Sequence, residues 1–120
     1  MHTVHLLDKA EKGFFASALG IIFDELYYDS SVTEQEIKMI DSFFDSLQLD
    51  KLSSSNAKID ITAVPYGQLI NMVNTNKRWV YKGSLTTPDC NEIIYWNVVY
   101  KVYPIKARHL QAFQNLIKTE

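Results

Sequence analysis

Two adjacent hydroxyls, Thr86 and Thr87, stand in a segment that reads as stiff. Gly83 precedes them and Pro88 follows. Pro88 fixes its own φ and biases Thr87 towards extended geometry. Gly83 can supply a backbone conformation that other residues resist. A hydroxyl offers one donor and two acceptor lone pairs, so a fixed pair of them can orient a bound oxygen. Loops held by rigid flanks are where function concentrates. The other residues with chemistry to offer are three histidines, His2, His5 and His109, and one cysteine, Cys90. His2 and His5 fall three apart; on a strand they face opposite sides and share no metal, whereas on a helix they could share a face. The β-branched Thr3 and Val4 favour the strand. His109 reads as a surface helix residue. Cys90 has no partner for an internal disulfide.

These residues need elements to place them. Trp79, Val80 and Tyr81 are β-prone, and Ile93 to Tyr100 is an aromatic and β-branched run, so 78–103 reads as strand, hard turn, strand. By spacing alone this is equally a strand–turn–strand with no chemistry. Upstream, 2–7 reads as a strand, 8–13 as a polar connection, and Phe15 to Tyr28 as one long buried strand. Gly20 within it predicts close approach of another backbone. Asp29-Ser30-Ser31 is a turn. Thr33-Glu34-Gln35-Glu36 has the form of a capping box, with Ile37, Ile40, Phe44 and Leu47 repeating at helical spacing to about Leu49. Glu34 and Glu36 suit the positive end of that helix and are not an acid–base pair. Ser53 to Asn56 is a polar loop, Lys58 to Ile61 a brief strand or extended segment, and Pro65 to Val73 a short helical turn with Pro65 at its first position. Pro104 ends the last strand. Lys106 to Ile117 reads as a helix with Ala107, Leu110, Phe113 and Ile117 on its inner face.

The sum is a single α+β domain, mainly β: a twisted, mostly antiparallel sheet with peripheral helices. The 120 residues suffice for one modest core. Hydrophobic residues at 47% and charged residues at 22% fit a soluble globular chain. A net charge of −2 with scattered Lys and Arg argues against a nucleic-acid partner. No apolar stretch is long enough to span a membrane, and no signal-peptide pattern opens the chain, so the sequence leaves its compartment open.

The string Tyr81-Lys-Gly-Ser-Leu-Thr-Thr-Pro88, followed by Cys90, Glu92 and Trp96, resembles the α-class carbonic anhydrases. The resemblance is strongest over 79–96, fair over 1–28 and 97–117, and weak over 50–78. It implies reversible hydration of carbon dioxide to bicarbonate, with zinc as cofactor. It maps His2 to the third zinc ligand and Thr86 to the hydroxyl that accepts from the zinc-bound oxygen and aims it. Thr87 maps to the substrate side. Val4, Ala18, Leu85, Ile94 and Trp96 map to the apolar pocket, Ala18 being smaller than the family's usual valine. His5 maps to a residue facing away from the metal.

The resemblance also implies what this stretch does not supply. The family's His-x-His ligand pair, the Glu that orients the third ligand and the Glu that receives the Thr86 proton all fall before residue 1, and the family's last strands fall after residue 120. The Cys90 position in secreted members pairs with a cysteine upstream. One imidazole does not hold a catalytic zinc, since three protein ligands are the norm. The expectation is therefore a partial carbonic anhydrase domain, inactive as an isolated chain. One alternative is a catalytically dead binding or assembly module, with a protein partner covering open sheet edges. A small α+β domain with incidental threonines and histidines is the third.

Overall fold

The computed structural model of the chain describes residues 1–11 and 13–118. It divides into two compact units: Met1–Phe23 with Asn74–Val102, and Asp24–Val73 with the segment from Tyr103 onward.

The first unit is a four-stranded sheet in the order β1-β2-β5-β4. Its strands are β1 (His2–Glu11), β2 (Phe14–Gly20), β4 (Arg78–Gly83) and β5 (Ile94–Val99). β1 runs antiparallel to β2, and β4 antiparallel to β5. The central pair, β2 and β5, is parallel, from Ala16 opposite Ile94 to Gly20 opposite Val98. A parallel pair needs a long crossover, and residues 24–73 supply it. Small residues fill the middle of this unit: Ala16 and Ala18 are fully buried with Ile94 and Trp96, and Leu85, Ile93 and Val98 pack on them. At Gly20 a Cβ would stand 3.5 Å from Val98 Cγ2 and 3.8 Å from the Asn97 carbonyl oxygen, which is ordinary contact rather than the expected close approach of a backbone.

Three expectations change here. The polar 8–11 stretch belongs to β1, because Glu11 pairs back to Phe14 beyond an irregularity after Leu6; Lys12 of the expected connection lies outside the described residues. The long strand from Phe15 to Tyr28 stops at Gly20. Phe23–Asp24 forms a separate short strand, β3, paired with β6 (Tyr103–Pro104). The Asp24 carboxylate then accepts from the amides of Leu26 and Tyr27, both at 2.8 Å. That side-chain turn competes with ladder bonding and leaves Leu26 and Tyr27 exposed. Lys58 to Ile61 joins no sheet.

The second unit carries α1 (Glu34–Ser46), a 3-10 turn (Leu49–Lys51), α2 (Tyr66–Met72) and α3 (Ala107–Lys118). The capping box forms as its residues predict. Glu36 N donates to Thr33 Oγ1 at 3.2 Å, and Thr33 N donates to Glu36 Oε2 at 2.7 Å. Ile40, Phe43 and Phe44 are buried on α1. The helix closes short of Leu49 because Gln48 adopts a left-handed conformation, φ 51°. Pro65 stands just before the first residue of α2, and Leu69 is its buried anchor. The α3 stripe turns out differently: Phe113 and Ile117 are exposed, and His109 is the buried residue. Among the described residues no helix is long and apolar enough to cross a membrane.

Candidate functional site

Strand alternation puts the predicted site residues that stand on strands, His2, Val4, Ala18, Ile94 and Trp96, on one face of the sheet. In register, Val4 stands opposite Ala18, and Ala18 opposite Trp96. His2 stands opposite Gly20, two residues along on both strands, so it shares that face with Val4. Ile94 lies two residues from Trp96 and points the same way. The His2 ring meets the Trp96 indole edge to face, with centroids 5.2 Å apart and planes at 73°. His5 lies on the opposite face, and its Nε2 is 3.1 Å from Thr3 Oγ1.

Trp96 is the pivot. It is 9% exposed, and its Nε1 donates to the Ser84 carbonyl at 3.0 Å. Tyr81 lies parallel to it at 6.4 Å. Gly83 explains the packing, for a reason other than the one expected. It does not have a left-handed φ. A Cβ there would sit 2.6 Å from Trp96 Cδ1 and 2.8 Å from Tyr81 Cε2. The glycine makes room for the indole rather than for a turn.

The threonine loop springs from this base. Leu85 packs on the buried cluster of Ala16, Ala18, Ile94 and Trp96. Its amide donates to the Asn91 carbonyl at 3.0 Å, and Cys90 N donates to the Thr87 carbonyl at 2.7 Å. Cys90 takes the left-handed conformation, φ 57°, that this tight return requires. Thr86 and Thr87 are thus held between two backbone bonds, with both side chains exposed. Cys90 is a free, exposed thiol.

The sheet face offers one imidazole, His2, towards a metal. Among the described residues, the one set of three ligand-type side chains that converges is elsewhere: Asp41, Asp45 and His109, with ligand atoms within 4.8 Å of one another. That trio is already engaged. Lys106 Nζ donates to Asp41 Oδ2 at 2.6 Å, and Arg108 donates to both carboxylates. Neither place matches a catalytic zinc site, which takes three protein ligands and an open position. On the sheet face the described residues supply one of the three protein ligands that such a zinc takes.

His109 is the residue that the sequence reading misplaced. It is 7% exposed, and its Nε2 donates to Asp41 Oδ1 at 2.7 Å. Its ring also lies 5.4 Å from that of Phe44. The available signal was on α1, where Asp41 and Asp45 are four residues apart and so share a face. The Asp45 carboxyl is held below its ordinary pKa chiefly by the Arg108 hydrogen bond. For Asp41, partial burial pushes upward, but hydrogen bonds from Lys106 and His109 and the Arg108 charge outweigh it, and the net shift is downward.

The model of the eukaryotic-type carbonic anhydrase family matches residues 8–120. The chain belongs to the carbonic anhydrase family. A curated relative, "Putative carbonic anhydrase 3" of Caenorhabditis elegans, is 34% identical over 58 residues, covering 47% of this chain and 24% of that protein. The solved α carbonic anhydrase of the fungus Aspergillus oryzae matches with a TM-score of 0.65 at 22% identity, over 98% of this chain and 45% of that one. The fold is therefore that of an incomplete α carbonic anhydrase, mainly β with few helices. This carbonic anhydrase chain spans less than half the length of each relative. The family match begins at Asp8, so His2 and Val4 lie before it.

Proposed function

We propose that the sheet face bearing His2, Val4, Ala18, Ile94 and Trp96 is one wall of a carbon dioxide hydration site. In this reading Thr86 orients the attacking oxygen, Thr87 and Leu85 lie on the substrate side, and His2 is one of the zinc ligands. The observation that carries it is the His2–Trp96 contact at 5.2 Å, set in a row of small and apolar residues on the same face. Such a wall suits a small substrate with no net charge and no dipole. Zinc, when held by a full ligand set, lowers the pKa of a bound water to about 7. This chain supplies part of that set. Its own contributions are positional. Ser84 fixes Trp96, Trp96 braces the His2 ring, and the loop bonds at Leu85 and Cys90 hold the Thr86 hydroxyl. On its own the chain does not hydrate carbon dioxide.

Methyl NMR under dissolved carbon dioxide tests the site. The methyls of Val4, Ala18, Leu85 and Ile94 should shift, while those of Ile40 and Leu69 stay put. Shifts spread evenly over both groups, or none at all, would refute the reading. Zinc content of the purified chain should fall well below one per molecule, and near-equal zinc and protein would contradict its partial character.

A second reading, a silent assembly module, is favoured by the exposed apolar residues of the two edge strands. Leu6 on β1 is 68% exposed and Trp79 on β4 is 64% exposed. Uncovered edges of this kind invite pairing with another chain. A chain that stays monomeric and dispersed at high concentration counts against this reading.

A further inference from the structure

Helix α3 is attached in an unusual way. His109 is its one buried residue among those described, and Phe113 and Ile117 of its apolar stripe are exposed. Ala107, Leu110, Ala112 and Leu116 are half-buried, and Ala112 and Leu116 line an open cleft of about 390 Å³ with Leu49 and Leu52. Apolar packing therefore holds it only in part. What holds its first turn is polar. Asp41 accepts from Lys106, Arg108 and His109, and Asp45 accepts from Arg108 through both oxygens.

The charges are placed against local preference on both helices. Lys106, Arg108 and His109 crowd the start of α3, which has no acidic residue in its first turn. Asp45 lies in the last turn of α1, which has no basic residue there, and Asp41 lies one turn before it. The macrodipole disfavours cations at a helix start and anions at a helix end. Each helix is thus poorly charged alone, and each corrects the other. Loss of the carboxylate charge improves α1 and leaves the start of α3 uncompensated.

We infer that α3 is a latched helix, fastened to α1 by Asp41 and Asp45, and that acid or high salt releases it while α1 and the sheet remain folded. The depressed carboxyl values of both aspartates set the sign of the acid response. A group whose folded value is lowered contributes fully above its ordinary value, 3.8 for Asp, and that contribution is lost as pH falls through the depressed value. Glu25 and Tyr28 line the cavity next to Asp41 and Lys106, and Asp50 lies beside Asp45, Arg108 and His109. Neither added carboxylate replaces the two in the latch, because the hydrogen bonds run to Asp41 and Asp45. Salt acts through screening. The Debye length falls from about 10 Å at 0.1 M to about 3 Å at 1 M, and Lys106, Arg108 and Asp45 are each about half exposed.

Amide hydrogen exchange on the full chain, corrected for intrinsic rates, tests the inference. At pH 7 the double variant Asp41→Asn, Asp45→Asn should cut protection across 107–118 by about tenfold or more, a free-energy change of roughly 1.4 kcal/mol or more. Protection at Ile40–Phe44, Ala16–Gly20 and Ile94–Val99 should hold. The unsubstituted chain should show the same selective loss in 1 M NaCl and below the ordinary Asp range. Protection of 107–118 that is unchanged in the double variant, or that falls only in step with Ile40–Phe44, overturns it. If the double variant does not fold, Arg108→Gln removes the exposed arm alone. A severalfold selective loss then supports the latch, and no loss refutes it.

Discussion

Gly83→Ala tests the account of the site wall at a single methyl. The new Cβ would stand 2.6 Å from Trp96 Cδ1 and 3.1 Å from Trp96 Nε1, where ordinary contact begins near 3.4 Å. Trp96 has nowhere to retreat: Ala18 beside it is fully buried, and its Nε1 is tied to the Ser84 carbonyl. Tyr81, half exposed, can swing aside and relieve only its own share. Overpacking of this kind costs about 1–3 kcal/mol. Stiffening of the unfolded chain offsets about 0.4–1 kcal/mol, since no left-handed φ opposes alanine here. The net loss is roughly 1–2 kcal/mol, at about 4–8 °C in Tm per kcal/mol for a small domain. Thermal unfolding read by tryptophan fluorescence in a Trp79→Phe background isolates Trp96, since the chain has two tryptophans. The His2 ring resonances should move in the same variant, because the indole they face must shift. Gly67→Ala is the control. It lies inside α2 with nothing within 4 Å of its new Cβ, so it should gain up to about 1 kcal/mol of helix propensity. A Gly83→Ala chain as stable as the original, with His2 unmoved, would show that Trp96 is not clamped and that the sheet face around it is not rigid.

Two smaller tests bear on other links. Thr33→Ala removes the hydroxyl half of the capping box and should cost about 1 kcal/mol, read as a lower urea midpoint with the slope unchanged. Trp96→Phe keeps an aromatic ring but deletes the bond to Ser84. It should cost on the order of 1 kcal/mol and raise exchange at the Leu85 and Cys90 amides, while α1 exchange stays as it was.

What could be read from the residues alone was local. The Thr33–Glu36 box, the Ile40–Phe44 stripe and the strand pair around 83–94 are short-range patterns, and they formed as read. The separation of His2 from His5 followed from strand alternation in the same way. The failures needed partners far along the chain. His109 is buried because its ring reaches Asp41, 68 positions away, and no periodicity on α3 encodes that. Phe113 and Ile117 point outward although their spacing is amphipathic. The strand from Phe15 ran too long because β-branched residues continue past Gly20, while Asp24 captures the backbone a few residues later. Gly83 was rightly singled out, but its cause is a ring from the next strand rather than its own torsions. Carbonic anhydrase ancestry was legible in one dense string. The ligand arithmetic followed from the resemblance, and among the described residues one imidazole stands on that face.

The parallel join at the middle of the sheet sets an order on the ribosome. Ser17 meets Asn97, 80 positions later. The β1–β2 hairpin can close early, but one side of β2 stays bare until that distant segment emerges. At about 5–20 residues per second, the wait is roughly 4 to 16 s. During it the alanine-lined strand is an open template for a neighbouring nascent chain, so yield in cells should depend on chaperone capacity and translation speed more than on the stability of the finished fold.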